Sequence, residues 1–371
     1  MCPSMDDEMR QNQSVGIRVL LAGGGTGGHV FPALAVADEL RSRGCFVSWL
    51  GRSDGMERNL VVGRGIDFHV IRARPWLGRG AGQRAGALVT LGRSALQARR
   101  LIRRSGVAVT VGTGGYVSAP AIVGSYLARL PVLLLEPNAR AGTANRWLSR
   151  LSAVACTSYE ETGQELACRS VCTGVPVRPE FFCTGELSEG ELSLLVVGGS
   201  QGALQINRLL PPVVEGLAQK LPELRVVHQV GGAHLAAVEQ EYARHRIGDV
   251  RLELVPFIDD MATAMKNAHV VVSRAGALTL AEVAAAGRPA ILIPLAAAGG
   301  HQAANAERLK TAGAAEVVEP PATVERLEEL LAALLSDRPR QLRMASAARH
   351  TARADAAERI ADLVTELGGA E

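Results

Sequence analysis

Residues 20–40, LLAGGGTGGHVFPALAVADEL, join an apolar strand pattern to a helical pattern through six small residues. Gly23, Gly25 and Gly28 satisfy the spacing GxGxxG, which brings backbone N–H groups to the start of a helix, where they favour a bound anion. His29 stands where that helix begins. The stretch therefore predicts a phosphate or nucleotide site in an α/β fold, with a histidine beside it.

Apolar strand patterns alternate with helical patterns along the chain, which predicts βαβ units and mainly parallel sheets. LLAGGGTGGH and LLVVGGSQGA repeat one device about 175 residues apart. We therefore expect an α/β protein of two Rossmann-like domains that face an interdomain cleft. The strand patterns cover 17–23, 46–51, 107–115, 131–138, 191–203, 224–232, 250–257, 268–276 and 288–295, and a helical pattern covers 31–44.

The predicted domain boundaries follow turn-rich segments. We expect a flexible tail over 1–15, an N-terminal domain over 16–178 and a linker over 179–190, inside the Pro- and Gly-rich stretch 172–190. A C-terminal domain over 191–350 and a C-terminal helix over 351–371 complete the division.

Composition is that of an ordinary globular protein, with 371 residues, 47% apolar and 21% charged. The first 16 residues lack the order of a secretory signal, and no apolar run reaches the length of a membrane span, so we expect a cytosolic protein. The six cysteines form no CxxC pair and are expected to be reduced thiols.

Several nucleotide-binding classes fit this sequence poorly. An NAD enzyme needs an acidic residue at the end of the second strand, where this chain has Gly51 and Arg52. NADP stays open through Arg52. The chain contains no Gly-Lys pair, which excludes a Walker ATPase, and no Asp-x-Asp, which argues against a metal-dependent nucleotide-sugar site.

The loops carry the candidate chemistry. The positive end of a helix dipole disfavours imidazolium, so His29 is expected to be neutral and able to act as a general base, unless it is only a polar residue at a helix start. The loop 111–120 could hold a second anion or be a tight turn. Ser200 could bind a phosphate oxygen, and Glu282 could accept two hydrogen bonds from a ribose diol or be a solvated helix residue. His301, Gln302 and Asn305 follow a Gly pair, and amide side chains suit sugar hydroxyls.

An ordered set of motifs resembles the MurG family of bacterial glycosyltransferases, over about residues 17–310. The family's enzymes add N-acetylglucosamine (GlcNAc) to lipid I to make lipid II in peptidoglycan synthesis. The resemblance implies the GT-B fold, with the C-terminal helix crossing back to the first domain. The motifs are GGGTGGHVFPALAVA, GTGGYVSAP, EPNARAGTANR, GVPVR, VVGGSQGA, FIDDM, SRAGALTLAE and GGHQAANA.

The resemblance also implies site residues and substrates. UDP-GlcNAc is the implied donor, and the C4 hydroxyl of N-acetylmuramic acid (MurNAc) in lipid I is the implied acceptor, with inversion. His29 matches the catalytic base, and Gly114, Gly115 and Tyr116 match the acceptor loop. Glu282 matches the ribose ligand and Ile258 the residue that reads uracil. The full set of implied donor-binding residues is Thr26, Gly27, Gly28, Asn138, Arg178, Ser200, Ile258, Ala277, Leu278, Thr279, Leu280, Ala281, Glu282 and Gln302.

Two further expectations follow from the resemblance. UDP would leave without a metal or other cofactor, because helix N-terminal amides and Ser200 stabilise its charge. His301 stands where the family usually has Gln and receives no catalytic role.

The resemblance suggests a membrane-binding function for an Arg-rich segment of the sequence. Residues 69–134 contain no Asp or Glu, while ten arginines fall there. An anionic membrane surface would attract such a segment, unless it is only a solvated face. Few aromatics and no stacking motif argue against nucleic acid. The expected membrane residues are Arg72, Arg74, Trp76, Leu77 and Arg79, with Arg84 nearby.

We therefore expect a peripheral enzyme on the cytoplasmic face of the bacterial inner membrane, whose partners are UDP-GlcNAc, lipid I, anionic lipid and other cell-wall synthesis proteins. Three alternatives stay open at this point. They are a GT-B UDP-sugar transferase with another acceptor, an NADP-dependent oxidoreductase, and a nucleotide-sugar sensor without catalysis.

Overall fold

The computed structural model describes residues 16–73, 81–183, 185–187, 189–295 and 300–369. The predicted tail 1–15 and the membrane candidates Arg74, Trp76, Leu77 and Arg79 lie outside these residues, as does the side chain of Arg84. The chain forms two compact units. The first comprises residues up to Glu136, Ala141–Pro176 and Asp355–Glu371, and the second comprises Pro137–Arg140 and Val177–Ala354.

The first unit contains a parallel sheet that the apolar runs build, in the strand order β3-β2-β1-β4-β5-β6-β7 over its described residues. The order reverses between β1 and β4, so the loops after these two strands open at the same point of the sheet. The strands are β1 (Arg18–Ala22), β2 (Phe46–Gly51), β3 (Asp67–Val70), β4 (Val109–Gly112), β5 (Val132–Glu136), β6 (Val154–Thr157) and β7 (Arg169–Cys172).

Helices cover both faces of this sheet, as apolar strands in a parallel sheet require. The C-terminal helix belongs to this unit, because Ile360, Ala361 and Val364 lie in its core with Val36 and Leu40. The helices are α1 (Gly27–Ser42), α2 (Met56–Val62), α3 (Ala81–Ser105), α4 (Gly115–Ala128), α5 (Thr143–Leu148), α6 (Glu160–Gly163) and α14 (Ala356–Gly369). A 3-10 turn covers Ser149–Leu151.

The second unit repeats the plan with a parallel sheet in the order β10-β9-β8-β11-β12-β13 over its described residues. Its order reverses between β8 and β11, which places the loops after these strands together. The strands are β8 (Ser193–Val197), β9 (Arg225–Gln229), β10 (Arg251–Val255), β11 (Val270–Ser273), β12 (Ala290–Leu292) and β13 (Ala315–Val317).

Two apolar clusters pack on the faces of this second sheet. The helices around it are α7 (Leu204–Lys220), α8 (Leu235–Tyr242), α9 (Met261–Lys266), α10 (Ala277–Ala286), α11 (His301–Thr311), α12 (Val324–Leu335) and α13 (Arg338–Thr351), with a 3-10 helix over Pro179–Cys183. No helix in the described part of either unit is both long and apolar enough to cross a membrane.

The predicted α/β class with two parallel sheets is confirmed, and every predicted strand pattern contains a strand. The sequence patterns did not identify β3, β6, β7 and β13, which are three or four residues long. Strands this short carry little periodicity. Helix α1 begins at Gly27, four residues before its predicted start. Glycine is a poor helix former, which hid this first turn.

Two boundaries differ from the predicted division. Residues 137–140, expected in the first domain, belong to the second unit, where the backbone N–H of Ala139 donates to Oδ1 of Asn305 at 2.8 Å. The expected linker 179–190 includes Phe181, which is fully buried in a core cluster of the second unit. The second unit accordingly begins at Val177, before the linker.

Truncation of Ile360 tests the contribution of the C-terminal helix to the first unit. Because Ile360 is fully buried, Ile360→Ala should lower the free energy of unfolding by about 2–4 kcal/mol through lost burial and a cavity. Urea denaturation measures this loss. The exposed Glu366→Ala on the same helix is the control and should change stability by less than about 0.5 kcal/mol. Equal effects of the two substitutions would contradict the assigned packing.

Candidate functional site

Two glycine-rich loops meet where the strand order of the first sheet reverses. They are residues 23–28 after β1 and 113–115 after β4. A Cβ at Gly23 would lie 1.9 Å from Oγ1 of Thr113, so only glycine allows this close approach. Gly114 is equally confined, because a Cβ there would lie 2.7 Å from Oδ1 of Asn145, and its φ of 86° favours glycine as well.

His29 lies in the first turn of α1 and faces the second loop. A Cβ at Gly115 would lie 3.6 Å from its Nε2, which is ordinary contact distance. Desolvation lowers the pKa of His29, while the charge of Glu136 and the backbone of Thr113 oppose that shift. The imidazole is therefore neutral at pH 7, with burial as the main cause, whereas the sequence argument invoked the helix dipole.

Glu136 is a buried carboxylate that the sequence analysis did not identify. It ends β5, accepts from the backbone N–H of Gly142 at 2.8 Å and from Nδ2 of Asn145 at 2.9 Å, and raises the pKa of His29. Its one sequence signal was an acidic residue at the carboxyl end of the apolar strand VLLLE. A negative charge near the ring stabilises imidazolium, the form that a general base acquires.

The first loop is not a simple anion-binding loop, because the buried carboxylate of Glu57 already contacts its backbone. Oε2 of the fully buried Glu57 accepts from the backbone N–H of Gly25 at 3.3 Å, and Oε1 accepts from that of Arg52 at 3.0 Å. A Cβ at Gly24 would lie 2.3 Å from Oε1 of Glu57. The absence of a side chain at Gly24 therefore leaves room for the carboxylate of Glu57.

The predicted donor residues of the first loop differ in accessibility. Thr26 is exposed, Gly28 is partly exposed and Gly27 is buried. A Cβ at Gly27 would lie 3.2 Å from the Phe31 ring, so Gly27 has a packing role in addition to any ligand contact. The N–H groups of Gly27 and Gly28 open the helix and point toward its N-terminal side.

Tyr116 lies in the first turn of α4, directly after the second loop, is partly exposed and is hydrogen-bonded to Arg52. Nη1 of Arg52 donates to the Tyr116 hydroxyl at 2.6 Å, and the guanidinium lies 5.9 Å from the ring centroid. Asp54 holds the other side of Arg52, with an Nε–Oδ1 distance of 2.9 Å. Arg52, the residue that left an NADP enzyme as an alternative in the sequence analysis, therefore pairs with Tyr116 and Asp54.

The second unit places a cation at its own glycine loop. Gly199 and Gly202 have φ values of 86° and 77°, and α7 begins only at Leu204, so Ser200 lies in an exposed turn before the helix. A Cβ at Gly199 would lie 2.8 Å from Nη2 of Arg274. Burial lowers the pKa of Arg274, yet an arginine stays protonated at pH 7. Sequence reasoning missed this residue, although it stands in the quoted SRAG motif.

Helix α10 follows β11 and carries the predicted ribose ligand. Glu282 is buried, and desolvation raises its pKa to about 7, while the charge of Arg178 lowers it. Leu280, a member of the predicted donor set, has its side chain buried in the core, and its backbone N–H donates to the carbonyl of Gly276. The residues of the helix that stay partly exposed are Ala277, Leu278, Thr279 and Ala281.

Ile258 and Arg178 lie near this helix in the same unit. Ile258 lines a pocket of about 290 Å³ together with Phe257 and Asp260. The Arg178 guanidinium lies 5.1 Å from the Phe181 ring centroid, which fixes its direction. Asp260 caps α9 by accepting from the N–H of Thr263 at 3.0 Å.

Amide side chains gather at the start of α11. Nδ2 of Asn305 donates to Oδ1 of Asn138 at 3.2 Å and to the Ala275 carbonyl at 3.1 Å. Oε1 of Gln302 accepts from the N–H of Leu295 at 2.9 Å, which turns its NH₂ group away from that contact. Nδ1 of His301, which received no catalytic role, lies 3.0 Å from the Arg140 carbonyl oxygen.

The influence of Glu136 on His29 can be measured without any substrate. Glu136→Gln removes the charge that raises the pKa of His29, so that pKa should fall further below its ordinary value of 6.5. A histidine NMR titration reads this directly. Glu160→Gln, at an exposed position of the same unit, is the control and should leave the titration unchanged. An unchanged or higher pKa in Glu136→Gln would refute the assignment.

Comparison with known proteins agrees with this architecture. Residues 19–156 match the glycosyltransferase family 28 N-terminal domain, and residues 193–360 match the glycosyltransferase family 28 C-terminal domain. A crystal structure of MurG from Acinetobacter baumannii superposes with a TM-score of 0.76 at 35% identity, covering 94% of this chain and 99% of that one.

Two curated relatives carry one name, UDP-N-acetylglucosamine–N-acetylmuramyl-(pentapeptide) pyrophosphoryl-undecaprenol N-acetylglucosamine transferase. The protein of Halorhodospira halophila is 41% identical, and the alignment covers 94% of this chain and 98% of that protein. The protein of Stutzerimonas stutzeri is 43% identical with the same two coverages, 94% and 98%. With its two parallel-sheet units, the chain belongs to the MurG family of glycosyltransferases and has the GT-B fold.

Proposed function

We propose that this protein transfers GlcNAc from UDP-GlcNAc to the C4 hydroxyl of MurNAc in lipid I, which gives lipid II for peptidoglycan synthesis. The observation that carries the proposal is the position of the His29 imidazole beside Gly115, in a chain of this family, and burial lowers the pKa of this histidine. Tyr116 follows Gly115 in α4, is partly exposed and can contact a sugar.

The donor half of the proposal rests on the second unit. A buried carboxyl group with a pKa of about 7 suits a ribose diol, because both hydroxyls can donate to Glu282 once it is ionised. The diphosphate would lie against Arg274, the hydroxyl of Ser200 and the opening amides of α10. Ile258 would meet uracil at the rim of its pocket, and the NH₂ group of Gln302 would meet GlcNAc.

The chemical step follows from these assignments. The C4 oxygen of MurNAc attacks the anomeric carbon of GlcNAc from the face opposite UDP, so the new bond forms with inversion. The bond from the anomeric carbon to the β-phosphate oxygen breaks, and its electron pair leaves with UDP. His29 takes the proton of the attacking hydroxyl, and Glu136 favours the imidazolium that results.

We infer that this step needs no metal. The leaving diphosphate develops negative charge, and fixed N–H groups with a guanidinium meet that charge without reorganising. Arg274 is partly buried beside Gly199, so its charge is less screened by water than a surface charge would be.

We also propose that the first unit contacts an anionic membrane from the cytoplasmic side. Leu88 and Trp147 line an apolar pocket of about 170 Å³ and are 54% and 60% exposed. Arg72 and Arg93 are exposed in the same unit. Each basic residue near an anionic surface contributes roughly 1 kcal/mol. A lipid-linked acceptor makes this location useful.

The first test is transfer from UDP-GlcNAc to a water-soluble, short-chain lipid I analogue with a chelator present. The wild type should make the lipid II analogue, and His29→Ala should lose about 100-fold or more in kcat, as for a lost general base. His350→Ala, at an exposed position of α13, is the matched control and should keep full activity.

Other outcomes of that assay would favour the alternatives. UDP-GlcNAc binding with transfer to a different acceptor would indicate another GT-B activity, and tight binding without any transfer would indicate a sensor. Binding of NADPH but not of UDP-GlcNAc would favour an oxidoreductase. Full activity of a folded His29→Ala would refute the base assignment alone.

Vesicle flotation tests the membrane contact. Binding should be strong with phosphatidylglycerol vesicles and weak with phosphatidylcholine, and Trp147→Ala with Leu88→Ser should weaken it about tenfold through lost apolar burial. Leu342→Ser is the control, because Leu342 is 45% exposed but belongs to the second unit. Equal binding to both kinds of vesicle would contradict an electrostatic contribution.

A further inference from the structure

An open pocket of about 810 Å³ in the first unit is lined by three arginines. Arg52 among them is bonded to Tyr116, and Arg72 and Arg93 are exposed, but the proposed transfer step gives the pocket itself no ligand. We call it the arginine pocket. Arg52 comes from the loop after β2, Arg72 from the segment after β3, and Arg93 from α3. Helix α3 adds polar side chains to the lining, namely Thr90, Ser94 and Gln97.

The charge of this pocket is strongly unbalanced. Asp54 is the one carboxylate among its lining residues, and it pairs with Arg52. Within the described ranges, Arg72 and Arg93 form no ion pair, and the sequence from 69 to 135 contains no Asp or Glu that could provide one nearby. Two or more uncompensated guanidinium groups around one cavity are suited to a phosphate or diphosphate, which they bind by charge-assisted hydrogen bonds.

The glycine loop beside this pocket is a weaker anion site than its sequence suggests. Glu57 already accepts from the Gly25 amide, and its buried negative charge would repel a phosphate group at that loop. The same carboxylate accepts from the backbone N–H of Arg52 and holds the backbone at this edge of the arginine pocket. An anion that approaches this edge of the sheet is therefore favoured at the arginines.

Continuous contacts connect the arginine pocket to the base. His29 faces Gly115, Tyr116 follows in the chain, and the Tyr116 hydroxyl accepts from Arg52. The acceptor has the matching order of groups, because its reactive hydroxyl is on C4 of MurNAc and its diphosphate is on C1, across the sugar ring. With the C4 hydroxyl at His29 and the ring at Tyr116, the diphosphate falls toward Arg52.

An apolar pocket adjoins the arginine pocket on the other side. The two share Ala73, and Tyr116 and Leu91 line the apolar one. A diphosphate bound by the arginines would thus leave its prenyl chain next to an apolar surface. An inorganic anion has no group that would use this neighbour.

We propose that Arg52, Arg72 and Arg93 bind the diphosphate of the prenyl-linked acceptor, an inference that rests on the proposed function. The ligand group that these arginines bind is a phosphoryl anion. A phospholipid headgroup also carries a phosphoryl anion and is therefore the alternative ligand. Arg72 and Arg93 supply the charges, while Arg52, held by Asp54 and Tyr116, orients the group toward the sugar.

Steady-state kinetics in detergent, without vesicles, separates the two sources. Arg72→Ala and Arg93→Ala should each raise the KM for the soluble lipid I analogue about tenfold, as expected for one lost charge-assisted hydrogen bond, and leave the KM for UDP-GlcNAc unchanged. Farnesyl diphosphate should inhibit competitively against the analogue, with a Ki that rises in the same variants, whereas farnesol should not inhibit. Arg103→Ala, exposed on the same helix, is the matched control and should match the wild type.

Two results would overturn the proposal. One is an unchanged KM for the analogue in both variants. The other is a loss confined to phosphatidylglycerol vesicle binding, which would assign the arginines to headgroups. If the wild type transfers nothing, the proposed function fails. Calorimetric titration of the wild type, Arg93→Ala and Arg103→Ala with farnesyl diphosphate then shows separately whether the arginine pocket binds a prenyl diphosphate. Thermal unfolding of each variant confirms that it is folded.

Discussion

The first unit depends on one close approach, between Gly23 and Thr113, which no residue with a side chain at position 23 would permit. Because β1 and β4 are neighbours where the strand order reverses, their loops must cross at this point. The crossing brings α1 and α4 together at their N-terminal ends. His29 then faces Gly115, so the proposed base and the proposed acceptor loop come from segments more than 80 residues apart in the chain.

Buried carboxylates set the electrostatics around that crossing. Glu57 bonds the first loop, and Glu136 bonds Gly142 and Asn145 while acting on His29. Backbone and amide donors meet both carboxylates. In the sequence, residues 69 to 135 contribute ten arginines and no carboxylate, although the net charge of the whole chain is only +3.

The sequence predicted the parallel sheets and the positions of both glycine loops, because strand runs and GxGxxG spacing are local patterns. It also singled out His29, Ser200 and Glu282, which stand inside those motifs. It missed Glu57, Glu136 and Arg274. Each of these residues acts on a partner that only the fold brings near, as Glu57 does on Gly25. The spacing of residues along the chain does not reveal such pairs. A motif also does not say which side of its helix is buried, and the Leu280 side chain, in the predicted donor set, lies in the core.

The two units solve opposite electrostatic problems with one architecture. Under the proposed function, the second unit stabilises the negative charge that appears on a leaving diphosphate, and Arg274 lies at its glycine loop. The first unit then accepts a proton, so a side chain that is already protonated at its glycine loops would not serve as the base. Burial keeps His29 neutral, and Glu57 makes the adjacent loop a poor place for another anion. In the binding mode that we propose, a diphosphate on the acceptor is held one sugar ring away from the base, at the arginine pocket, where its charge favours the imidazolium without blocking the imidazole ring.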